Sequence, residues 1–167
     1  MSKEMFRHQF DSHWHTSFRL IDLAANLSEA DYQGYPGYGH GSIHSLKVHL
    51  LQTDWSWHQA LETGLQQLPL PVEGFPNLLA VKGGFQAEKA AWQNFLDGLA
   101  PEEVEAEIIL TTRRGNSVEF PRWRILQHVV LHGMQHHSEL ARRLTEHRQS
   151  PGNIDFIFYQ ANPASAS

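Results

Sequence analysis

The chain has 167 residues, of which 41% are hydrophobic and 19% charged, the make-up of one ordinary globular domain with room for a real core. Its formal net charge is -5 and no Lys/Arg run exceeds two residues, so it lacks the clustered basic face that nucleic-acid binding needs. It contains no cysteine, which excludes disulfides, thiolate-bound zinc and a protein thiol nucleophile, whereas its 12 histidines are many for this length.

The opening residues, MSKEMFRHQF, lack the long apolar segment of a signal peptide, and no stretch approaches the ~18 apolar residues of a membrane helix. The expected location is the cytoplasm, with no membrane partner. Phe6, Phe10, Trp14, Phe18, Ile21 and Ala25 recur at three- and four-residue spacing and predict a first helix over 4–27. QGYPGYGHGS (33–42), with four glycines and a proline, reads as a loop, and Ser42 as an N-cap. A second helix is predicted over 43–63, with Ile43, Leu46, Leu50, Trp57 and Leu61 on one stripe and Gly64 at its C-terminus. LPLPVEGFPN (68–77) is a loop fixed by three prolines, followed by a third helix over 84–99. The period then changes: Ile108–Thr112, Gly115-Asn116 and Val118–Phe120 read as a short hairpin. A fourth helix runs from Pro121 to about His147. The expected architecture is all-α, an antiparallel four-helix bundle with a short β-hairpin insertion before the last helix. It forms one domain over 1–161, with a flexible tail at 162–167.

The histidines carry the functional question. His132 and His136 are four residues apart, which on a helix places their Cβ atoms about 5–6 Å apart on one face. Such a pair can face one ion at about 2.0–2.1 Å, but needs a third ligand. From the spacing alone, a metal pair and satisfied core or surface histidines are both open. The His-Glu-x-x-His pattern of zinc proteases fails, because Gly133 follows His132. His40 and His44 repeat the spacing, but His40 precedes the cap Ser42 and lies in the glycine-rich loop, so helical geometry does not pair them. His137 falls on the stripe Leu126, Val130, Gly133, Leu140, Leu144 and reads as packing. His128 reads as an outer partner of the ligands, and His8, His13, His15, His58 and His147 as surface or packing residues. His49, inside the second helix beside Leu46 and Leu50, is the best-placed third ligand.

GSIHSLKVHLLQTDW (41–55) resembles the second-helix pattern of the DinB/YfiT-like family, in which Ser opens the helix and a His precedes an apolar pair and an acidic-aromatic pair. LQHVVLHGMQHHSEL (126–140) is similar to that family's fourth helix, and GNIDFIFYQ (152–160) to its acidic-aromatic tail. The resemblance covers nearly the whole chain. It implies a four-helix bundle with a divalent metal held by His49, His132 and His136. The sequence departs from the pattern at Leu131, in place of the common Asn, and at His137-Ser138-Glu139, in place of Arg-Gly-Gln. These positions surround the ligands and tune the metal.

Three neutral imidazoles leave an ion its full charge and an open position, the pattern of catalytic rather than structural zinc. Zinc and nickel both suit imidazole. A bound water could be lowered to a pKa near 7, and a bound thiol held as thiolate. The resemblance implies a metal-dependent enzyme, such as an S-transferase or isomerase that takes its sulfur from a low-molecular-weight thiol and acts on a small-molecule substrate. A metal-dependent hydrolase and a non-catalytic metal-binding stress-response protein are the alternatives. No catalytic residue is assigned, since Asp54 and Glu139 are the only acidic residues near the ligands in sequence. Five Trp, nine Phe and four Tyr, with rings spread around the first helix, predict a homodimer packed through helix surfaces.

Overall fold

The computed structural model describes residues 1–160. The 162–167 tail expected from the sequence lies outside the described residues. Five helices and one hairpin make up the fold: α1 (Lys3–Ala24), α2 (Glu29–Gln33), α3 (Ile43–Thr63), α4 (Leu78–Gly98), β1 (Glu107–Thr111), β2 (Ser117–Pro121) and α5 (Arg122–Glu146). Short 3₁₀ turns lie at Val72–Gly74, Pro101–Val104 and Phe156–Phe158. The all-α bundle with a hairpin before its last helix is therefore the fold the sequence predicts. α1 and α3 each pack against both α4 and α5, so the long helices close a ring around one core.

Each long helix but the last begins on a polar cap. The side chains of Ser2, Ser42 and Asn77 accept from the backbone N–H of Met5, Ser45 and Ala80 at 3.0–3.1 Å. Gly64 ends α3 in the left-handed region (φ 72°), as its position predicts. α5 starts one residue later than predicted, because Pro121 still pairs with Glu107 in the hairpin. The core is built from the predicted stripes. Phe6, Phe10, Trp14 and Ile21 of α1 meet Val48, Leu50 and Leu51 of α3, Phe85 and Trp92 of α4, and Leu126 and Val129 of α5. Burying each such side chain contributes about 1.5–3 kcal/mol.

Two helix boundaries differ by more than one residue from the sequence expectation. α1 stops at Ala24 rather than 27, and Ser28 caps the separate turn α2 through the Asp31 N–H at 3.1 Å. α4 begins at Leu78, six residues before the predicted start, because Asn77 caps it and Gly83-Gly84 continue the helix instead of breaking it. Gly84 sits against Leu51 and Phe75 so closely that a Cβ would collide with both, so the glycine is a packing device between α4 and α3. β1 and β2 are each placed within one residue of the predicted strands, and Gly115 (φ 79°) makes their turn. The hairpin is stitched to the end of α3 by Thr111 N–H to Gly64 O at 2.8 Å and Gln66 N–H to Thr111 O at 2.9 Å.

The rings around α1 find partners within the chain. Arg19 donates to the carbonyls of Pro151 and Asn153, which draws the last described segment across α1. There Phe156 and Tyr159 pack on His8 at 5.4 and 5.2 Å, and Tyr159 on His15 at 5.4 Å.

Candidate metal centre

His49 projects from α3, and His132 and His136 from successive turns of α5, toward one another across the line where those two helices pack. The ring centroids of His132 and His136 are 4.4 Å apart, those of His49 and His136 4.9 Å, and those of His49 and His132 5.2 Å. The two Nε2 atoms of His132 and His136 face each other at 3.1 Å. Two nitrogens bound to one tetrahedral ion lie about 3.3 Å apart. The structure thus makes the rings of His49, His132 and His136 neighbours, but the histidines whose ligand atoms all lie close enough together to share an ion are His40, His49 and His136.

It also adds a fourth. A ligand atom each from His40, His49 and His136 all lie within 4.8 Å of one another. The His40 ring stacks on His49 at 4.1 Å and 13° between planes, and meets His136 edge-on at 4.8 Å. The sequence reading left His40 out because helical spacing could not pair it with His44. Those two indeed part company: His44 Nδ1 lies 3.1 Å from the Tyr32 hydroxyl, tying α2 to α3. His40 reaches the cluster by a route that spacing does not encode. Gly37, Gly39 and Gly41 all have positive φ (85°, 64° and 90°), which curls the loop back over the helices. Arg143 of α5 then pins it, donating to the carbonyls of Gly41 and Tyr38, while the Arg142 and Arg143 guanidinium groups lie 5.5 and 5.2 Å from the Tyr38 ring centre. Glu139 accepts from Arg143 Nη2 at 2.6 Å through one oxygen, and places the other 3.5 Å from His136 Nδ1. Glu139 lies one turn from Arg143 and from His136 and contacts both, a relation visible in the sequence.

The environment keeps these rings neutral and ready to bind a metal. Burial, reinforced by the neighbouring His40 and His136 and opposed by Glu139, pushes His49 down to about 4. Burial first, then His136 and His49, pushes His132 down to about 3. His136 is lowered by burial and His40 against the pull of Glu139. No carboxylate stands between the facing nitrogens, and the second ring nitrogens of His132 and His136 are buried without a hydrogen-bond partner. Imidazole donors that converge without acceptors fit a late first-row divalent ion such as zinc or nickel.

The remaining histidines sort by what they touch. His137 points the opposite way from His136: it is 1% exposed, and its Nε2 lies 2.8 Å from Ser17 Oγ on α1. This is the packing role its stripe predicts. Of the surface and packing roles open to it, His13 takes the packing one: it is buried, its Nε2 3.0 Å from Asp54 Oδ2, with its ring 5.0 Å from that of His137. Gly133 has its reason here, since a side chain at that position would run into the His13 ring. Asp54 is fully buried, and burial raises its carboxyl against the opposing pull of His13. It therefore faces the core and not the cluster. His58 is also buried, with Nδ1 3.1 Å from Glu88 Oε1. His128 is exposed, packs on Trp57 at 5.3 Å, and stands 5.8 Å from His132. A cleft of about 910 Å³ lies elsewhere, between α1 and residues 150–160, lined by Asp11, His15, Arg19, Asp22, Lys89 and Tyr159. The histidine cluster is instead a shallow site at the bundle edge, reached from solvent past exposed His40.

A sequence model of the DinB family matches residues 1–163. No curated protein matches the chain. No helix among the described residues is long and apolar enough to cross a membrane.

Proposed function

The chain belongs to the DinB family, and on that premise we propose that it is a metal-dependent enzyme of the small-thiol S-transferase type, with His49, His132 and His136 as metal ligands. The observation that carries this reading is the convergence of imidazole nitrogens from α3 and α5 with no carboxylate among them. An all-neutral donor set leaves a divalent ion, zinc or nickel, its full charge, and when bound the ion supplies Lewis acidity that favours the deprotonated form of a coordinated thiol or water.

The chain's own residues prepare that site. Burial holds His49 and His132 neutral, so both present lone pairs at physiological pH. Glu139 places one carboxylate oxygen 3.5 Å from His136 Nδ1 while the other accepts from Arg143, so a negative charge stands behind the His136 ring. With no cysteine in the chain, the nucleophilic sulfur comes from a low-molecular-weight thiol. It forms a bond to the electrophilic atom of a small-molecule substrate, the leaving group departs with its electron pair, and the thiol proton passes to solvent. This route requires no protein general base. Hydrolysis is the weaker alternative, because the two acidic residues near the ligands in sequence are both engaged: Asp54 with His13, and Glu139 with Arg143.

The test titrates metal-loaded and cobalt-substituted protein with bacillithiol, mycothiol, glutathione and cysteine. The expected result is a sulfur-to-metal charge-transfer band with one of them. Silence from all four at millimolar concentration transfers the site to a hydrolytic or non-catalytic metal-binding role in stress response. The protein is further proposed to work in the cytoplasm as a homodimer, using exposed apolar side chains such as Leu131 (60%), Ile157 (81%) and Phe158 (66%). A monomer mass by light scattering at tens of micromolar removes that part.

A further inference from the structure

We infer that His40 is a fourth, displaceable ligand of the metal centre, carried on a glycine-hinged loop that Glu139 and Arg143 clasp, and that the sulfur donor of an incoming thiol takes its place. This rests on the metal reading above and adds to it the device that opens the site.

Position is the first support. His40 offers a nitrogen within 4.8 Å of those of His49 and His136, and a turn of its ring out of the stack on His49 would let it join them on one ion. Attachment is the second. His49, His132 and His136 are carried by α3 and α5, whose backbones are locked by helical hydrogen bonds. His40 belongs to no helix or strand. Its loop is held down by Arg143 donating to Tyr38 O and Gly41 O, and by the Tyr38 ring lying against two guanidinium groups. Releasing those few contacts frees the imidazole while the other three rings stay in place. Gly37, Gly39 and Gly41 supply hinges on both sides of His40. Coupling is the third. Glu139 touches the clasp through Arg143 and the fixed ligand His136 through its other oxygen, so the latch and the metal site share one carboxylate.

Four imidazoles would complete a tetrahedral ion and leave no position open, which by itself describes a closed structural site. A loop-borne fourth ligand reconciles closure with reactivity. At rest, His40 excludes water and adventitious donors. A thiol competes with it and must offset the cost of lifting the loop, so the apparent thiol affinity falls by the fraction of molecules whose loop is open.

Cobalt-substituted protein and 2-mercaptoethanol test this. His40→Ala is expected to take up one cobalt per chain, to show a visible spectrum different from that of the parent, and to bind 2-mercaptoethanol about tenfold more tightly. Gly39→Ala keeps every ligand, but its methyl would press on Glu139 Oε1 and Arg143 Nη2 and unseat the loop, so it should reproduce the gain in thiol affinity. Identical cobalt spectra and equal thiol affinity in the parent and His40→Ala overturn the inference and leave the three-histidine site standing. Loss of cobalt from His40→Ala as complete as from His49→Ala also overturns it, since His40 would then be a permanent ligand. A parent protein that takes up no cobalt removes this inference and the metal reading together.

Discussion

Two groups of histidines lie back to back across α5, and they differ in where their nitrogens go. On one side His40, His49 and His136 bring nitrogens within 4.8 Å of one another, His132 Nε2 faces His136 Nε2 at 3.1 Å, and the acidic Glu139 stands behind His136. On the other side, His13 and His137 each point a nitrogen at an oxygen, Asp54 Oδ2 at 3.0 Å and Ser17 Oγ at 2.8 Å. The ring type is the same and the helix is shared; His136 and His137 are adjacent in sequence and belong to different groups. A nitrogen paired with oxygen has spent its lone pair or its proton on the fold. Nitrogens that converge on each other are short of acceptors, and an ion satisfies them all. Burial alone does not separate the groups, because His136 and His137 are 2% and 1% exposed.

The largest effect should come from removing a converging nitrogen. His49→Ala, His132→Ala or His136→Ala is expected to abolish retention of about one divalent ion per chain, a loss greater than the roughly 100-fold that an outer-shell partner costs. Helical circular dichroism should persist, because the core does not include these rings. Elemental analysis after dialysis measures this, with His137→Ala as the control that keeps its ion. Retention of a full equivalent of metal by His49→Ala would break the comparison outright.

Next in size is the paired side. Asp54→Ala strips His13 of its buried hydrogen-bond partner, and should cost about 1–3 kcal/mol in urea unfolding while metal content per folded chain stays unchanged. An Asp54 variant that unfolds like the parent, or one that loses its metal while fully folded, would merge the two groups into one.

A smaller and more graded effect is expected from pH in chelated protein. Folding holds His49 and His132 at about 4 and about 3, and His137 well below its usual value, all chiefly through burial. Between the unfolded value near 6.5 and those depressed values, the unfolded chain binds more protons than the folded one. Stability is therefore fully present above about pH 6.5 and falls as the pH drops toward 4 and 3. Thermal midpoints should decline by about 2–4 °C for each kcal/mol lost. A bound ion should flatten the upper part of this profile, because coordinated rings resist protonation. A chelated protein with a flat midpoint from pH 7 to 4 would show that the converging rings are less enclosed than their geometry indicates.

Local physics made much of this legible in the sequence. Apolar residues at helical spacing gave the four long helices, the β-rich runs Ile108–Thr112 and Val118–Phe120 around Gly115-Asn116 gave the hairpin, and Ser42 and Gly64 gave the ends of α3, because each signal acts within a turn or two of the chain. The pairing of His132 with His136 is equally local, since one helical turn dictates it. The errors fell where contacts are distant. The start of α4 is six residues earlier than its apolar spacing indicates, and Gly84 within it is explained only by Leu51 and Phe75 filling the space a side chain would need. His13 reads equally as a surface or a packing residue until α3 delivers Asp54, 41 positions away. His40 looks like part of a loose loop until Arg143, more than 100 residues on, takes hold of Gly41 and Tyr38. The sequence by itself determined the helices, their buried faces and the one histidine pair that a single helix can align. Only the tertiary structure decided which nitrogens meet each other and which meet oxygen, because that depends on how α1, α3 and the glycine loop pack around α5, and no spacing along one chain segment records the distance between two others.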